Sequence, residues 1–597
     1  MNQICCVFSI FLTVATFASS QPNVLLIITD DQGYGDLSIH GNPILKTPNI
    51  DSIGRHGVRF DRFYVSTVCA PSRAAILSGM DPVRSGVHGV TRNQEAMDPD
   101  VVTIAEALKA ANYHTGYFGK WHNGAQYPYV PTGQGFDDFF GFTAGHVNNY
   151  FDTTLLRGLK PEETTGYIAD VITDEAIRFI KENQSETLFC YLSFNTPHSP
   201  YQVPDEYFDR FFGREGLDER EASFLGMCEN IDDNIGRVIK VLKETGLYKD
   251  TIVLFLTDNG TAAGDKLFDA GMRGKKTHVH EGGSRVPLFI DWPRAGWTPH
   301  VVNNLTAHID LYPTLLDLCG VQSHAGSQLE GTSLRPLLEN RTADFPDRTL
   351  FTHNTIDQTN RYPGAVRTSR YRLVRKIPGP QAGSASVNRD TEALPWELYD
   401  MIADSAEKND LASSQPKVVD TLSRQYEEFV DDIFSDSLSR FPLPVGYNEH
   451  NPVSLHASQA YFRDPVHYQS GRGFAHDWLT GWTSTAGKVW FEINVVQAGI
   501  YMVSIQLGCP GVDAGSRIRV TANRNSCEAS VPSAPSQEIQ LPHREERSRS
   551  TFRERDWTTL EVGRIELREG KQDLTIEALS MPGKQVMDFK LLMLERK

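Results

Sequence analysis

Residues 24–31 read VLLIITDD. Five branched apolar residues in succession, with no alternation, make a strand buried on both faces, as in a parallel sheet covered by helices on each side. Two aspartates then stand where the strand must end. The same grammar recurs downstream. Residues 252–256 run into Asp258-Asn259, and residues 188–194 run into Asn195-Thr196-Pro197-His198. A fourth apolar run covers 287–290, and helical periodicity lies between the runs, as at Ile168, Val171, Ile172, Phe179 and Ile180. The expected fold class is α/β, a mostly parallel sheet sandwiched by helices. In such sheets the ligand crevice lies outside the carboxyl ends of the strands. Three strands therefore carry acids, an amide and a histidine to one edge, although Asp and Asn also serve as ordinary caps and turn residues.

The texture changes twice along the 597 residues. After about 345 a hairpin-like stretch, AVRTSRYRLVRKI (365–377), precedes a helix that starts at Pro416 and carries Leu422, Tyr426, Phe429, Val430 and Ile433 on one face. FPLPVGYNEHNP (441–452) reads as a linker. Beyond it the period becomes two, as in Val489, Phe491, Ile493, Val495 and Tyr501, Val503, Ile505, Leu507, which indicates a β-sandwich. The expected organisation is a signal peptide at 1–20, a catalytic α/β domain at 21–345, an antiparallel α+β subdomain at 346–440, the linker at 441–452 and an accessory β-sandwich at 453–597. Trp478, Trp482 and Trp490 are candidates either for sugar stacking or for core packing.

Residues 1–20 contain an apolar run closed by Ala18-Ser19-Ser20 and no charged side chain, the form of a cleaved secretory signal. No later stretch reaches the about 20 apolar residues of a membrane span. The expected location is secreted or periplasmic. Beyond the signal the six cysteines are too sparse for a disulfide scaffold; Cys190 and Cys319 sit in apolar runs, and Cys509 and Cys527 are candidates to pair. A net charge of −17 with no basic stripe argues against a nucleic-acid partner. An anionic substrate would need positive groups gathered locally.

Such groups exist. Asp30, Asp31, Asp258 and Asn259 make an oxygen-rich set suited to Ca²⁺ or Mg²⁺ rather than zinc. VSTVCAPSRAAILSG (65–79) places Cys69 at the mouth of a helix, with Arg73 one turn in and Gly79 as the stop. The amides of a helix start favour an anion. GYFGKWH (116–122) contributes Lys120 and His122, and RGKKTHVHEGGSRVP (273–287) contributes Lys275 and Lys276.

These residues resemble the formylglycine-dependent (type I) sulfatases of the alkaline phosphatase superfamily. CAPSR (69–73) matches the family's C-x-P-S-R signature, which arises by chance in on the order of one in a thousand chains of this length, so it identifies rather than decorates. DDQGYGD (30–36), GKWH (119–122), NTPHSP (195–200), TDNG (257–260) and EGG (281–283) follow in the family's order. HIDLYPTLLDLCG (308–320), GTSLRPLL (331–338) and ELYDMIADSAEKNDLA (397–412) extend the likeness to about residue 435.

The resemblance implies an alkaline phosphatase-like core and conversion of Cys69 to formylglycine (3-oxoalanine) by a separate maturation enzyme. It implies a metal held by Asp30, Asp31, Asp258, Asn259 and residue 69. Arg73 would hold the nucleophile, and Lys120 and Lys276 would neutralise the sulfuryl oxygens. His198 would protonate the leaving oxygen and His122 would take the remaining hydroxyl proton. The expected function is a secreted sulfatase acting on a sulfated sugar or polysaccharide. Phosphonate monoester or phosphodiester hydrolysis by the same nucleophile is the alternative, and a silent glycan binder is a third. Substrate contacts are expected from residues 126–149 and 353–364, with His146, Asn148, Trp292, His353 and Arg361 as candidates and Asn123-Gly124 beside them.

Overall fold

The computed structural model describes residues 21–322, 328–340, 343–354, 361–377, 394–435, 438 and 440–597. The expected signal at 1–20 and part of the 353–364 substrate loop lie outside the described residues. The central sheet has eleven strands: β1 Asn23–Thr29, β2 Val58–Tyr64, β3 His114–Lys120, β4 Asp138–Phe142, β5 Thr154–Arg157, β6 Lys160–Glu163, β7 Leu188–Ser193, β8 Thr251–Thr257, β9 Arg285–Asp291, β10 His300–Val302 and β11 Thr306–Ala307. Their order is β10-β2-β9-β8-β1-β7-β3-β4-β5-β6, with β11 also on β2. Strands β8, β1, β7, β3 and β4 are mutually parallel. β9 runs against both β8 and β2, and β5 runs against β4 and β6.

The unalternating run in β1 has the expected consequence. Val24, Leu26 and Ile28 enter the core on one face, and Leu25 and Ile27 enter the core on the other. Helices Cys69–Ser78, Ile104–Ala110 and Leu311–Cys319 cover the first face. Helices Pro48–His56, Ile168–Glu182 and Glu219–Glu244 cover the second.

A four-stranded antiparallel sheet, Leu350–His353, Gly364–Arg367, Tyr371–Arg375 and Trp396–Asp400, packs on helix Pro416–Ile433. A buried carboxylate of the main domain is central to the junction. Glu281, 1% exposed, accepts from Tyr64 Oη at 2.8 Å and from Arg372 Nη2 at 2.7 Å. Arg367 and Arg285 stand 3.6 and 3.5 Å away. Burial alone would push the Glu281 carboxyl up, but these arginines hold it at about 2. Glu281→Ala leaves buried guanidinium groups without their counter-ion, so we expect a loss of about 3–5 kcal/mol in urea unfolding, with Glu281→Gln losing less.

Two six-stranded sheets close on a shared core at the C-terminus. Trp478 and Trp482 are buried, which assigns both to packing rather than to an exposed sugar platform. The expected linker is corrected in part. Leu443–Val445 is an edge strand paired in parallel with Lys488–Val495, and Leu443 and Val445 enter the sandwich core. Its prolines are tolerated because an edge strand leaves backbone N–H positions unpaired. The expected Cys509–Cys527 pair is absent: both thiols are free. Cys509 follows a strand of one sheet, whereas Cys527 lies within Asn525–Ser530 of the other.

Candidate active site

Because β8, β1, β7 and β3 are parallel neighbours in register (Thr257 beside Thr29, Ser193 beside Ile28 and Gly119), their carboxyl ends deliver one cluster. Asp30 and Asp31 come from β1, Asp258 and Asn259 from β8, and His198 from the segment after β7. Lys120 and His122 come from the end of β3. The helix Cys69–Ser78, buried along its whole length, starts against this cluster.

Arg73 is 1% exposed and makes four bonds there. It grips Asp258 Oδ2 through Nε at 3.1 Å and Nη2 at 2.8 Å, and its Nη1 reaches Ser193 Oγ at 2.6 Å and the Lys120 carbonyl at 3.0 Å. Lys120 Nζ sits 2.6 Å from Asp30 Oδ2. Lys276 Nζ donates to Asp31 Oδ2 at 2.8 Å, whereas Lys275 turns to Asp265 at 2.9 Å. Adjacent lysines thus face different partners, and it is Lys276 that joins the cluster.

Ligand atoms of Asp30, Cys69 and Asp258 lie within 4.8 Å of one another, the one such group of three among the described residues. Two of the candidate metal-ligand oxygens are buried without a hydrogen-bond partner, Asp30 Oδ1 and Asn259 Oδ1. Asn259 uses its amide nitrogen on Asp31 Oδ1 at 2.9 Å, which leaves the oxygen free. Orphaned buried oxygens are costly without a partner, and a hard cation is the partner they fit. Burial, with the Asp30 charge beside it, pushes the Asp258 carboxyl up to about 7. Asp30, Asp31 and Asp258 stand against Lys120, Lys276 and Arg73 respectively.

Three non-glycine residues here adopt left-handed backbone: Asp31 (φ 70°), His122 (φ 66°) and Thr277 (φ 76°). Such strain collects where side chains must be aimed. The EGG motif is a backbone-packing device. A Cβ on Gly283 would lie 1.9 Å from the His278 carbonyl, and one on Gly260 would lie 1.9 Å from the Gly282 carbonyl. Only bare backbone lets the 274–283 loop tuck against residues 258–261.

His122 donates from Nε2 to the Val90 carbonyl at 2.8 Å, so its Nδ1 carries a lone pair, and that atom has no partner. His198 donates from Nδ1 to the Ser199 carbonyl, and its Nε2 lies 3.8 Å from Asp31. Burial pushes His198 down to about 3. The Cys69 thiol is pushed up by burial, so the unmodified side chain is a thiol and not a thiolate.

The expected substrate contacts divide. His146 is adjacent, its ring 6.1 Å from that of His198. Asn148 is engaged elsewhere: its amide donates to the Arg553 carbonyl of the sandwich at 2.9 Å. Trp292 follows β9, which runs antiparallel, so it emerges at the opposite edge of the sheet and packs on Trp297. His353 is buried against Asp81 at 3.2 Å, and Arg361 is held by Glu427 and Asp431 of the subdomain helix. Asn123 is fully buried and bonds the Ala70 carbonyl at 3.0 Å, so it steadies the Cys69 helix. Ser193, which sequence reasoning missed, lies inside an apolar strand and orients Arg73 together with Tyr117.

Residues 22–321 match the family model described as Sulfatase, and residues 273–432 match that described as N-sulphoglucosamine sulphohydrolase, C-terminal. Arylsulfatase A of Bos taurus is 32% identical over 426 residues, 64% of this chain and 79% of its own. N-acetylgalactosamine-6-sulfatase of Homo sapiens is 30% identical over 369 residues, 56% of this chain and 69% of its own. The solved structure of Ps i-CgsB in complex with k-i-k-neocarrahexaose has 26% identity and a TM-score of 0.63, covering 70% of this chain and 94% of the other. With half its length matched by one family model and its site residues converging as described, the chain belongs to the sulfatase family of the alkaline phosphatase superfamily and is a sulfuric ester hydrolase.

Proposed function

We propose that the protein is an exported sulfatase that removes sulfate from a sulfated saccharide, using formylglycine made from Cys69 and a divalent cation. The observation that carries the chemistry is the pair of orphaned oxygens, Asp30 Oδ1 and Asn259 Oδ1, in the cluster with Asp258 and Cys69. The saccharide reading is supported by N-acetylgalactosamine-6-sulfatase among the relatives and by the oligosaccharide complex of Ps i-CgsB. The apolar segment at 1–20 supports export, and among the described residues no helix is long and apolar enough to cross a membrane.

Asp30, Asp31, Asp258 and Asn259 would hold the cation, Ca²⁺ or Mg²⁺, which supplies positive charge against the sulfuryl oxygens. Formylglycine, once formed by a maturation enzyme, supplies a hydrated aldehyde hydroxyl that no ordinary side chain offers. Arg73 fixes Asp258 and the start of the helix. Lys120 and Lys276 place two ammonium groups where negative charge redistributes in the transition state. His198 holds Nδ1–H on Ser199, so Nε2 is the atom that passes a proton to the departing alkoxide; an anionic ester beside it raises its pKa. His122, through Nδ1, takes a proton as sulfate leaves.

Ion chromatography of sulfate and phosphonate released from carrageenan, chondroitin and heparin oligosaccharides, 4-nitrophenyl sulfate and phosphonate esters tests this reading. Sulfate from a saccharide is the expected result, and phosphonate cleavage alone overturns it. The cation has a separate readout. After chelation and dialysis, added Ca²⁺ should raise the melting temperature, by about 2.7 kcal/mol of linkage at one hundred times its Kd. Asn259→Ala, which deletes an orphaned oxygen, should abolish that shift.

A further inference from the structure

We propose that residues 470–478 of the C-terminal sandwich form the leaving-group wall of the active site, with Phe474 and His476 contacting the sugar that bears the sulfate. The proposal rests on the saccharide reading above.

The ring of His146 lies nearly parallel to that of His198, 6.1 Å away at 15°. Beyond His198, His146 meets three rings that all come from the sandwich. They are His476 at 5.5 Å, Phe552 at 5.6 Å and Phe474 at 6.2 Å, each close to perpendicular. The Nε2 of His476 is buried without a partner. Lys590 Nζ steadies the same loop by donating to the His476 carbonyl at 2.7 Å.

The loop also bonds the segment that holds the other histidine, His122. The Val90 carbonyl holds His122, and the next residue, Thr91, donates from Oγ1 to the Gly473 carbonyl at 2.5 Å. Residues 473–476 therefore touch His146, whose ring lies beside that of His198, and Thr91, which follows the residue that holds His122. Buried polar bonds extend the seam: Gln126 donates to Gln459 at 2.9 Å, and Gln202 pairs with His543 at 3.0 Å. A tethered binding module requires no such seam, whereas a wall of the site does.

The chemistry at the wall fits a pyranose. With sulfate at Cys69 and the lysines, the ester oxygen lies at His198, and the sugar ring continues toward His146. Aromatic rings pack against the C–H face of a sugar, and an imidazole nitrogen without a partner exchanges hydrogen bonds with a hydroxyl.

The test uses the matured full-length protein and two probes. One is 4-nitrophenyl sulfate, whose leaving group is a single aryl ring. The other is the panel saccharide that the wild type desulfates fastest. For Phe474→Ala and His476→Ala, kcat/KM on the saccharide relative to the aryl sulfate should fall at least tenfold, mainly through KM. His476→Gln should restore part of that ratio. Phe474→Leu keeps an apolar anchor for the loop and should still lower it, which covers the case in which the alanine variant does not fold. A ratio that stays at the wild-type value in every folded variant overturns this proposal alone. Aryl sulfate turnover with no saccharide turnover overturns the saccharide reading, and this proposal with it.

Discussion

Cys69→Ala abolishes sulfate release from every substrate, by on the order of 10⁴-fold or more, while the protein stays folded. The side chain removed is small, and alanine is a better helix former than cysteine at the head of a helix. Structural damage is therefore slight. The loss is chemical. Burial pushes the Cys69 thiol up, so unmodified protein holds neither a thiolate nor an aldehyde at this position. Protein made without a maturation enzyme should consequently be as inactive as Cys69→Ala. Co-expression with such an enzyme should restore activity in proportion to the modified fraction. That fraction is read by mass spectrometry of the tryptic peptide ending at Arg73, as the mass loss for replacing CH₂SH by an aldehyde. Activity in protein whose Cys69 is wholly unmodified would falsify the formylglycine reading and return the search to His122, His198 and a metal-bound water.

The sheet and its cluster were legible because both rest on local rules. Runs such as 24–28 and 252–256 are apolar at every position, and a strand buried on both faces permits nothing else. The polar residues that follow fall at the edge where parallel strands end. What stayed hidden depends on contacts far apart in the chain. Strand direction is one case: residues 287–290 look like any other buried strand, yet β9 runs antiparallel, and that reversal moves Trp292 from the expected site to the opposite edge. Docking is another. Asn148 contacts Arg553 and Gln126 contacts Gln459, pairs more than 300 positions apart, and neither side carries a local signal of its partner. Backbone strain is a third. Nothing in GKWH announces that His122 takes a positive φ, which turns its ring toward the Val90 carbonyl. The prolines of 442–444 misled in the opposite sense, since an edge strand accepts them.

The sharpest separation of a site residue from its neighbour concerns the two lysines at 275 and 276. Lys276→Ala should lower kcat by about 10²–10³-fold, the scale of removing one charge-stabilising donor from a transition state. Lys275→Ala should stay within a few-fold of wild type, because its partly exposed pair with Asp265 belongs to a class worth about 0–1 kcal/mol. The backbone fixes which lysine is which. Lys276 N–H donates to the Thr261 carbonyl at 3.0 Å, beside the metal-site segment. Thr277 N–H donates to the Thr67 carbonyl at 2.8 Å, in the chain that leads into Cys69. With both bonds made, the Lys276 side chain faces Asp31 and the Lys275 side chain faces away. Rates on 4-nitrophenyl sulfate measure both variants without reference to the natural substrate. The reversed ranking would mean that substrate binding turns the 273–280 loop over, which would break the Thr67 and Thr261 bonds. The Lys275–Asp265 pair would then be a latch released on binding rather than a bystander, and Asp265→Asn would have to raise activity.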